Sequence, residues 1–247
     1  EILIGLVGSE MCIRDSDYTV DMPAWITGEK VKEGYNFTLT ENTTGNARKG
    51  TVIFKSQKGT KEITFVQFGV NDIAGTYEAT YSTFGEGDDW VSETVKIELL
   101  QDEENEAVFY ADGLSSIRGV VLPLKFDGET YQLSALNGQY LGFIESQKWY
   151  LYTIVRSEAG YVHADTSLFY PAIAELDVDD EELMPFFPFK DKKGFSFTGE
   201  TGTIKSFIDA IGVYVFASKS PTFGNNNNLG YYDIFKGLSI KKIKADH

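Results

Sequence analysis

Short runs that alternate apolar with polar residues, cut by turns rich in glycine and asparagine, recur along the chain and commit it to β-structure. Phe37 and Leu39 alternate with Thr38 and Thr40, the period of a strand with one face buried. Asn42 to Gly50 is rich in Asn, Thr and Gly and reads as a connection. Val52 and Phe54 resume the alternation, the chain turns between Gln57 and Thr60 at Gly59, and Ile63 and Phe65 close a hairpin. Asn42 and Arg48 bracket the connection. An Asn that bonds local backbone and an Arg that donates to loop carbonyls would close it, so Arg48 reads as a loop brace before it reads as a ligand contact. Trp25 follows Pro23, which favours extended backbone at Met22. In a sandwich such a Trp fills core more often than it stacks on a sugar.

Charge divides the chain. Residues 17–68 carry seven Lys/Arg against six Asp/Glu, while residues 69–247 carry fourteen against twenty-eight, so nearly all of the net charge of −15 belongs to the second part. That field opposes nucleic acid and anionic membrane surfaces and suits neutral ligands. Val70-Asn71-Asp72 reads as the linker between two domains.

The second part continues the β pattern. Tyr77, Ala79 and Tyr81 share one face; Val95, Ile97 and Leu99 alternate with Thr94, Lys96 and Glu98. Val120, Leu122, Leu124 and Phe126 alternate around Pro123, which suggests an edge strand or a bulge. Asp127-Gly128 turns the chain into Thr130 to Ser134. Gly138 to Phe143, Trp149 to Val155, Phe195 to Phe197, Val213 to Ala217 and Tyr231 to Ile243 follow. About nine or ten strands at this spacing predict an antiparallel barrel or a two-sheet sandwich. Ile204, Phe207, Ile208 and Ile211 stand at helical spacing, so one short helix is expected over Thr203 to Ile211.

Catalytic and metal chemistry is poorly supplied. The two histidines are His163 and His247, and no pair has metal-ligand spacing. No Gly-x-Ser-x-Gly elbow and no phosphate-cradling loop with a Lys is present. The single cysteine, Cys12, follows no long apolar stretch, so it is not a lipidation site, and a lone thiol builds no disulfide framework. The acidic run Glu175, Asp177, Asp179 to Glu182 has no Gly for a calcium turn and no asymmetry for a glycosidase pair, and reads as a solvated loop or helix start. These absences predict no cofactor, no metal, no catalytic residue and no enzymatic activity.

The aromatics carry the remaining signal. Phe, Tyr and Trp make up 14% of the chain, and a β domain buries many of them. Three clusters read differently. Asp88-Asp89-Trp90 lies in a loop-like acidic stretch. Trp149-Tyr150-Leu151-Tyr152 puts aromatics on both faces of one strand. Phe223-Gly224 and the tetrad Asn225 to Asn228 lead into Leu229-Gly230-Tyr231-Tyr232. Sugars are held by an aromatic platform under the ring and by amides or carboxylates on the hydroxyls, so Trp90, Trp149, Tyr150, Asn226, Asn227, Tyr231 and Tyr232 are the candidate ligand-binding residues. An ordinary hydrophilic hairpin with strand tyrosines is the bland alternative.

Trp25-Ile26-Thr27, Asn42-Thr43-Thr44, Arg48-Lys49-Gly50-Thr51-Val52 and Val66-Gln67-Phe68-Gly69, in that order, resemble the BACON domain, an immunoglobulin-like β-sandwich of surface and secreted proteins in gut Bacteroidetes. The resemblance covers residues 17–69 and implies a partial domain, because the family has further strands before its Trp. Glu1 to Ser16 resembles a translated sequencing-adapter peptide, which would replace the true N-terminus and any lipid anchor; a genuine first strand over Ile2 to Val7 is the alternative. Gly75-Thr76-Tyr77 after a linker, with Gly113-Leu114, Gly138-Gln139 and Gly142, is similar to the lipocalin-like barrels of Bacteroidetes surface lipoproteins, over residues 73–247. The resemblances imply a non-catalytic protein of the cell envelope, at the outer-membrane surface or in the periplasm, touching membrane only through a lipid anchor. It would bind carbohydrate, or alternatively carry a small apolar ligand inside the barrel; a glycan-active enzyme is the distant third.

Overall fold

The computed structural model describes residues 4–5, 18–32, 34–42, 47–85, 89–128, 130–158, 172–179, 183–189, 195–199, 202–219 and 227–244. The protein is all-β and falls into two compact units, Glu1–Asp72 and Ile73–His247.

The first unit contains β1 (Ile4–Gly5), β2 (Tyr18–Asp21), β3 (Ile26–Val31), β4 (Gly34–Leu39), β5 (Arg48–Ser56) and β6 (Gly59–Gln67). Strands β1, β6, β5 and β2 form one antiparallel sheet in that order, and β3 pairs with β4 as a hairpin. β1 meets β6 through Ile4 opposite Val66 and Gly5 opposite Phe65. Their shared core is Ile26, Leu39, Val52, Phe54 and Phe65, with Phe37 set edge-on to Phe65 at 5.0 Å. Arg48 braces the connection between β4 and β5: it donates to the Thr40 carbonyl and, from Nε, to Gln67 Oε1 at 2.9 Å. Its guanidinium also lies 4.4 Å from the Trp25 ring, and Trp25 packs against the core. Asn42 Nδ2 donates to the Gln67 carbonyl at 3.4 Å. Val70–Asp72 is a 3₁₀ turn.

The second unit runs through β7 (Gly75–Phe84), β8 (Trp90–Gln101), β9 (Val108–Asp112), β10 (Leu122–Asp127), β11 (Gln132–Ala135), β12 (Tyr140–Ile144), β13 (Trp149–Ser157), β14 (Ala172–Glu175), β15 (Asp177–Asp179), β16 (Met184–Phe187), β17 (Phe195–Gly199), β18 (Gly202–Ser206), β19 (Ile208–Phe216) and β20 (Asn228–Lys242). Most join one antiparallel sheet, curled as a half-barrel, in the order β12-β13-β19-β20-β7-β8-β9-β10-β11-β14. β16 adds to β20, and β17 pairs with β18 apart from it.

Register defines the two faces, because directly opposed residues point the same way. Tyr77 opposes Ile97, Leu99 opposes Ala111, Phe109 opposes Leu124 and Phe126 opposes Leu133, all buried. The same core face continues through Ile211, Val213 and Val215, which oppose Val155, Thr153 and Leu151. On the other face a second cluster forms from Tyr152, Ile154, Tyr214 and Phe216, with Tyr150 and Tyr231 against it. Strands β13 and β19 are therefore buried on both faces, which is why their sequences are nearly continuous in apolar residues.

Four expectations are corrected. Thr203 to Ile211 is not helical: it ends β18 and begins β19, with Phe207 between them, because flanking strands supply ladder partners that outweigh a short apolar spacing. Pro123 lies on an inner strand between β9 and β11, opposite Tyr110. Its missing N–H falls where β11 has ended: Leu136 N donates to the Pro123 carbonyl at 3.4 Å and nothing need be returned. The acidic run supplies Glu175 to β14 and Asp177 to Asp179 to β15; Asp180 to Glu182 lie outside the described residues. The second unit also has more strands than expected, since short ones such as β15 and β16 carry too few residues to show a period.

Candidate functional site

Two irregularities in strand pairing build the candidate site. Between β13 and β19, Arg156 faces Ala210 while the next residue, Ser157, faces Ile208, so Asp209 is the extra residue of a bulge. Between β20 and β7, Lys236 faces Ser82 but Ser239 faces Thr80, and Gly237 takes a φ of 64°, the left-handed region that favours glycine. Bulges bend a strand and re-aim its side chains. Asp209, Lys236 and Gly237 here line one open cleft of about 420 Å³ with Glu158, Phe189, Phe207 and Ile208. Phe207 is 46% exposed and is the open aromatic surface of this cleft. Its carbonyl accepts from Glu158 N at 2.9 Å, which ties the end of β13 to the start of β19.

A charged cluster stands beside the cleft. Asp209 Oδ2 accepts from Arg156 Nη1 at 2.9 Å, and Lys236 Nζ lies 3.6 Å from the same oxygen. Asp209 Oδ1 is buried with no hydrogen-bond partner. Burial raises the Asp209 carboxyl above its ordinary value of 3.8; Arg156 and Lys236 oppose the rise and are outweighed. Both cations also face Trp90, with the Arg156 guanidinium 5.1 Å and the Lys236 ammonium 4.6 Å from its ring. The register explains the meeting. Arg156, Ala210, Lys236, Ser82 and Ser92 oppose one another in a row across β13, β19, β20, β7 and β8, and Trp90 lies two residues from Ser92 on the same face.

Tyr231 approaches from the other end of that face. It opposes Tyr214, edge-on at 4.8 Å. Its ring lies over Gly212, where an added Cβ would come 2.9 Å from Tyr231 Cδ1 and collide with the Asp233 carbonyl. The Tyr231 hydroxyl is buried without a partner. Burial raises its pKa well above 10.0, with Tyr214 adding to the rise, Arg156 opposing it and Asp209 adding again.

The residues singled out from the sequence are spread over both faces. Trp90 begins β8 rather than standing in a loop, and stacks on Phe84 at 4.6 Å. Tyr150 and Tyr231 belong to the second cluster, and Tyr150 lies 4.5 Å from Phe143. Trp149 sits with Leu151 on the core-face side of β13 and meets Tyr232 edge-on at 6.1 Å; Tyr232 is 46% exposed. The Asn227 carbonyl accepts from Ala217 N at 2.8 Å. Asn226, His163 and residues 86–88 lie outside the described residues. Among the described residues no three His, Cys, Asp or Glu side chains group as a metal site. Sequence reasoning missed Arg156, Glu158, Phe189, Phe207, Asp209 and Lys236. One signal was available: Asp209 is the single charge in the apolar run Phe207 to Phe216.

Comparison with known proteins found no matching family model, curated protein or solved structure.

Proposed function

We propose that this is a non-catalytic carbohydrate-binding protein of the cell envelope and that its second unit holds a neutral sugar in the cleft beside Asp209 and Lys236. One observation carries the reading: the cleft joins the open ring of Phe207 and the ring of Phe189 to a carboxylate and an ammonium already fixed by each other. An aromatic surface accepts the apolar face of a pyranose, and fixed charged groups hydrogen-bond its hydroxyls with little ordering cost. Large side chains on the core face, among them Tyr77, Phe109, Leu122 and Phe187, are fully buried, which favours a surface site over a ligand enclosed behind the sheet. The placement in the envelope rests on the sequence resemblances alone.

The test is binding of the full chain to immobilised neutral polysaccharides, repeated with Phe207→Ala. The expected result is retention of at least one polysaccharide and a loss of about tenfold or more in affinity for the variant. Retention of none, or retention indifferent to Phe207→Ala, overturns the reading.

A further inference from the structure

Strand β12 ends the large sheet on one side. Among the described residues β13 pairs with it along one edge and no strand pairs along the other. An open edge is a row of backbone donors and acceptors that another strand can join, and proteins commonly guard it with charge. The other terminal strands of this sheet are guarded: β14 carries Glu175, and β15 carries Asp177 and Asp179. β12 reads Tyr-Leu-Gly-Phe-Ile and carries no charge, and neither do residues 149–155 of its neighbour β13. Its two large side chains lie open, Tyr140 at 39% and Phe143 at 42% exposure.

Residues three apart on a strand ordinarily point to opposite faces. Here the register slips between Tyr140 and Gly142, so Tyr140 faces Tyr152 and Phe143 faces Tyr150, and both open rings fall on one face. They rest on those tyrosines at 5.4 and 4.5 Å between ring centres. Gly142 lies between them with a φ of 152°, and a Cβ placed there would meet nothing within 4 Å. Glycine inside a strand often marks a place where another backbone comes close.

We infer that β12 is a self-association edge, where a second copy of this chain adds its own β12 antiparallel and continues the sheet across a two-fold axis. Self-complementarity selects a second copy over an unrelated strand. With Tyr140 opposite the partner's Phe143, the two-fold axis also sets Phe143 opposite the partner's Tyr140, and Leu141 opposite the partner's Gly142. Each open ring then gains a cross-strand aromatic neighbour on its own face, twice over. The charge agrees. Two copies of net charge −15 repel over most of their surface, and an uncharged patch is where they approach at least cost. Lys219 stands beside the patch, its ammonium 5.8 Å from the Tyr140 ring, where the polar rim of an interface lies. The edge is independent of whatever the cleft holds.

The experiment is sedimentation equilibrium of the full chain over a wide concentration range, for wild type and Phe143→Lys, with melting curves to verify folding. The expected result is a monomer–dimer equilibrium whose dissociation constant rises by about tenfold or more in Phe143→Lys, because a charge then sits in the joint. In a Cys12→Ser background, Tyr140→Cys and Phe143→Cys chains, mixed and oxidised, should form a disulfide-linked dimer, while either chain alone forms far less. The cross-link decides the matter if Phe143→Lys fails to fold. A monomer at every concentration, or a dimer indifferent to Phe143→Lys, overturns the inference. Cross-linking as strong in each single variant as in the mixture also overturns it, because the two-fold register then fails. A monomer whose retention on polysaccharide is lost in Phe143→Lys overturns it as well and assigns the two rings to a sugar.

Discussion

Nη1 of Arg156 lies 2.9 Å from Oδ2 of Asp209, and the two residues sit on neighbouring strands whose register slips by one residue between them. Both side chains are mostly buried, at 18% and 12% exposure. A mostly buried carboxylate with one cation removed is strongly uncompensated. Arg156→Ala is expected to destabilise the second unit by about 2–3 kcal/mol, the scale of a hydrogen bond to a charged group, measured by urea denaturation. A change below the error of the denaturation curve would show that Lys236 alone suffices.

The raised Asp209 carboxyl makes a pH prediction with a definite sign. The folded protein holds this proton to higher pH than the unfolded chain does, so the unfolded state binds fewer protons above the ordinary value of 3.8. Stability from this group is therefore full below that value and is lost as pH rises through the folded pKa. Melting temperatures of the wild type relative to Asp209→Asn should fall as pH rises from 3 to 7. A difference that stays flat, or rises, contradicts burial as the dominant cause.

Gly212→Ala tests the lane beneath Tyr231. The new Cβ meets the Asp233 carbonyl, which is backbone, as well as the Tyr231 ring, so the strand pair must shift. Overpacking of this kind costs about 1–3 kcal/mol. Chemical denaturation measures it, and an unchanged stability would show that the strand pair takes up the methyl without cost.

In the first unit Arg48 holds Thr40, Gln67 and Trp25 together. Arg48→Lys keeps the charge but loses the planar fork. It should recover less than half of the roughly 2 kcal/mol lost in Arg48→Ala, the sum of a charged hydrogen bond and part of a cation–π contact. Trp25 fluorescence reports the change directly. Full recovery by Lys would reduce the brace to its charge.

The hydroxyl of fully buried Tyr77 donates to the Ile73 carbonyl at 2.6 Å. Tyr77→Phe leaves that carbonyl without its donor, at a cost of about 1–2 kcal/mol in thermal or urea unfolding. An unchanged stability would mean that the carbonyl finds another donor.

The hairpin of β5 and β6 was readable because the period of two and the turn at Gly59 agree. Asp127 and Gly128 marked the next hairpin for the same reason, and Asp127 Oδ1 accepts from Thr130 N at 3.2 Å. The mixed faces of Trp149 to Tyr152 were visible as a strand with aromatics on both sides. The cleft was not legible. Its residues come from positions 158, 189, 207–209 and 236–237, brought together by the adjacency of β13, β19 and β20 and aimed by two bulges. A bulge is a mismatch between two strands, so neither strand's sequence shows it alone. Ile208 and Ile211 suggested a helix because the spacing is local, whereas the ladder partners that decide the matter lie around residues 155 and 235.

Strand β20 has one further consequence. Its 15 residues lie between β19 and β7, and among the described strands it is the link that joins the β12-β13-β19 side of the sheet to the β7-to-β14 side. β7 begins at Gly75 and its partner β20 begins at Asn228, so this pairing closes a very long loop. Contacts so distant in sequence form slowly. Before β20 docks, β7 and β19 are both open edges of partly built sheets, and open edges recruit other chains. Refolding yield should therefore fall with protein concentration, and a peptide spanning β20, added during refolding, should compete for the gap that the strand itself must fill.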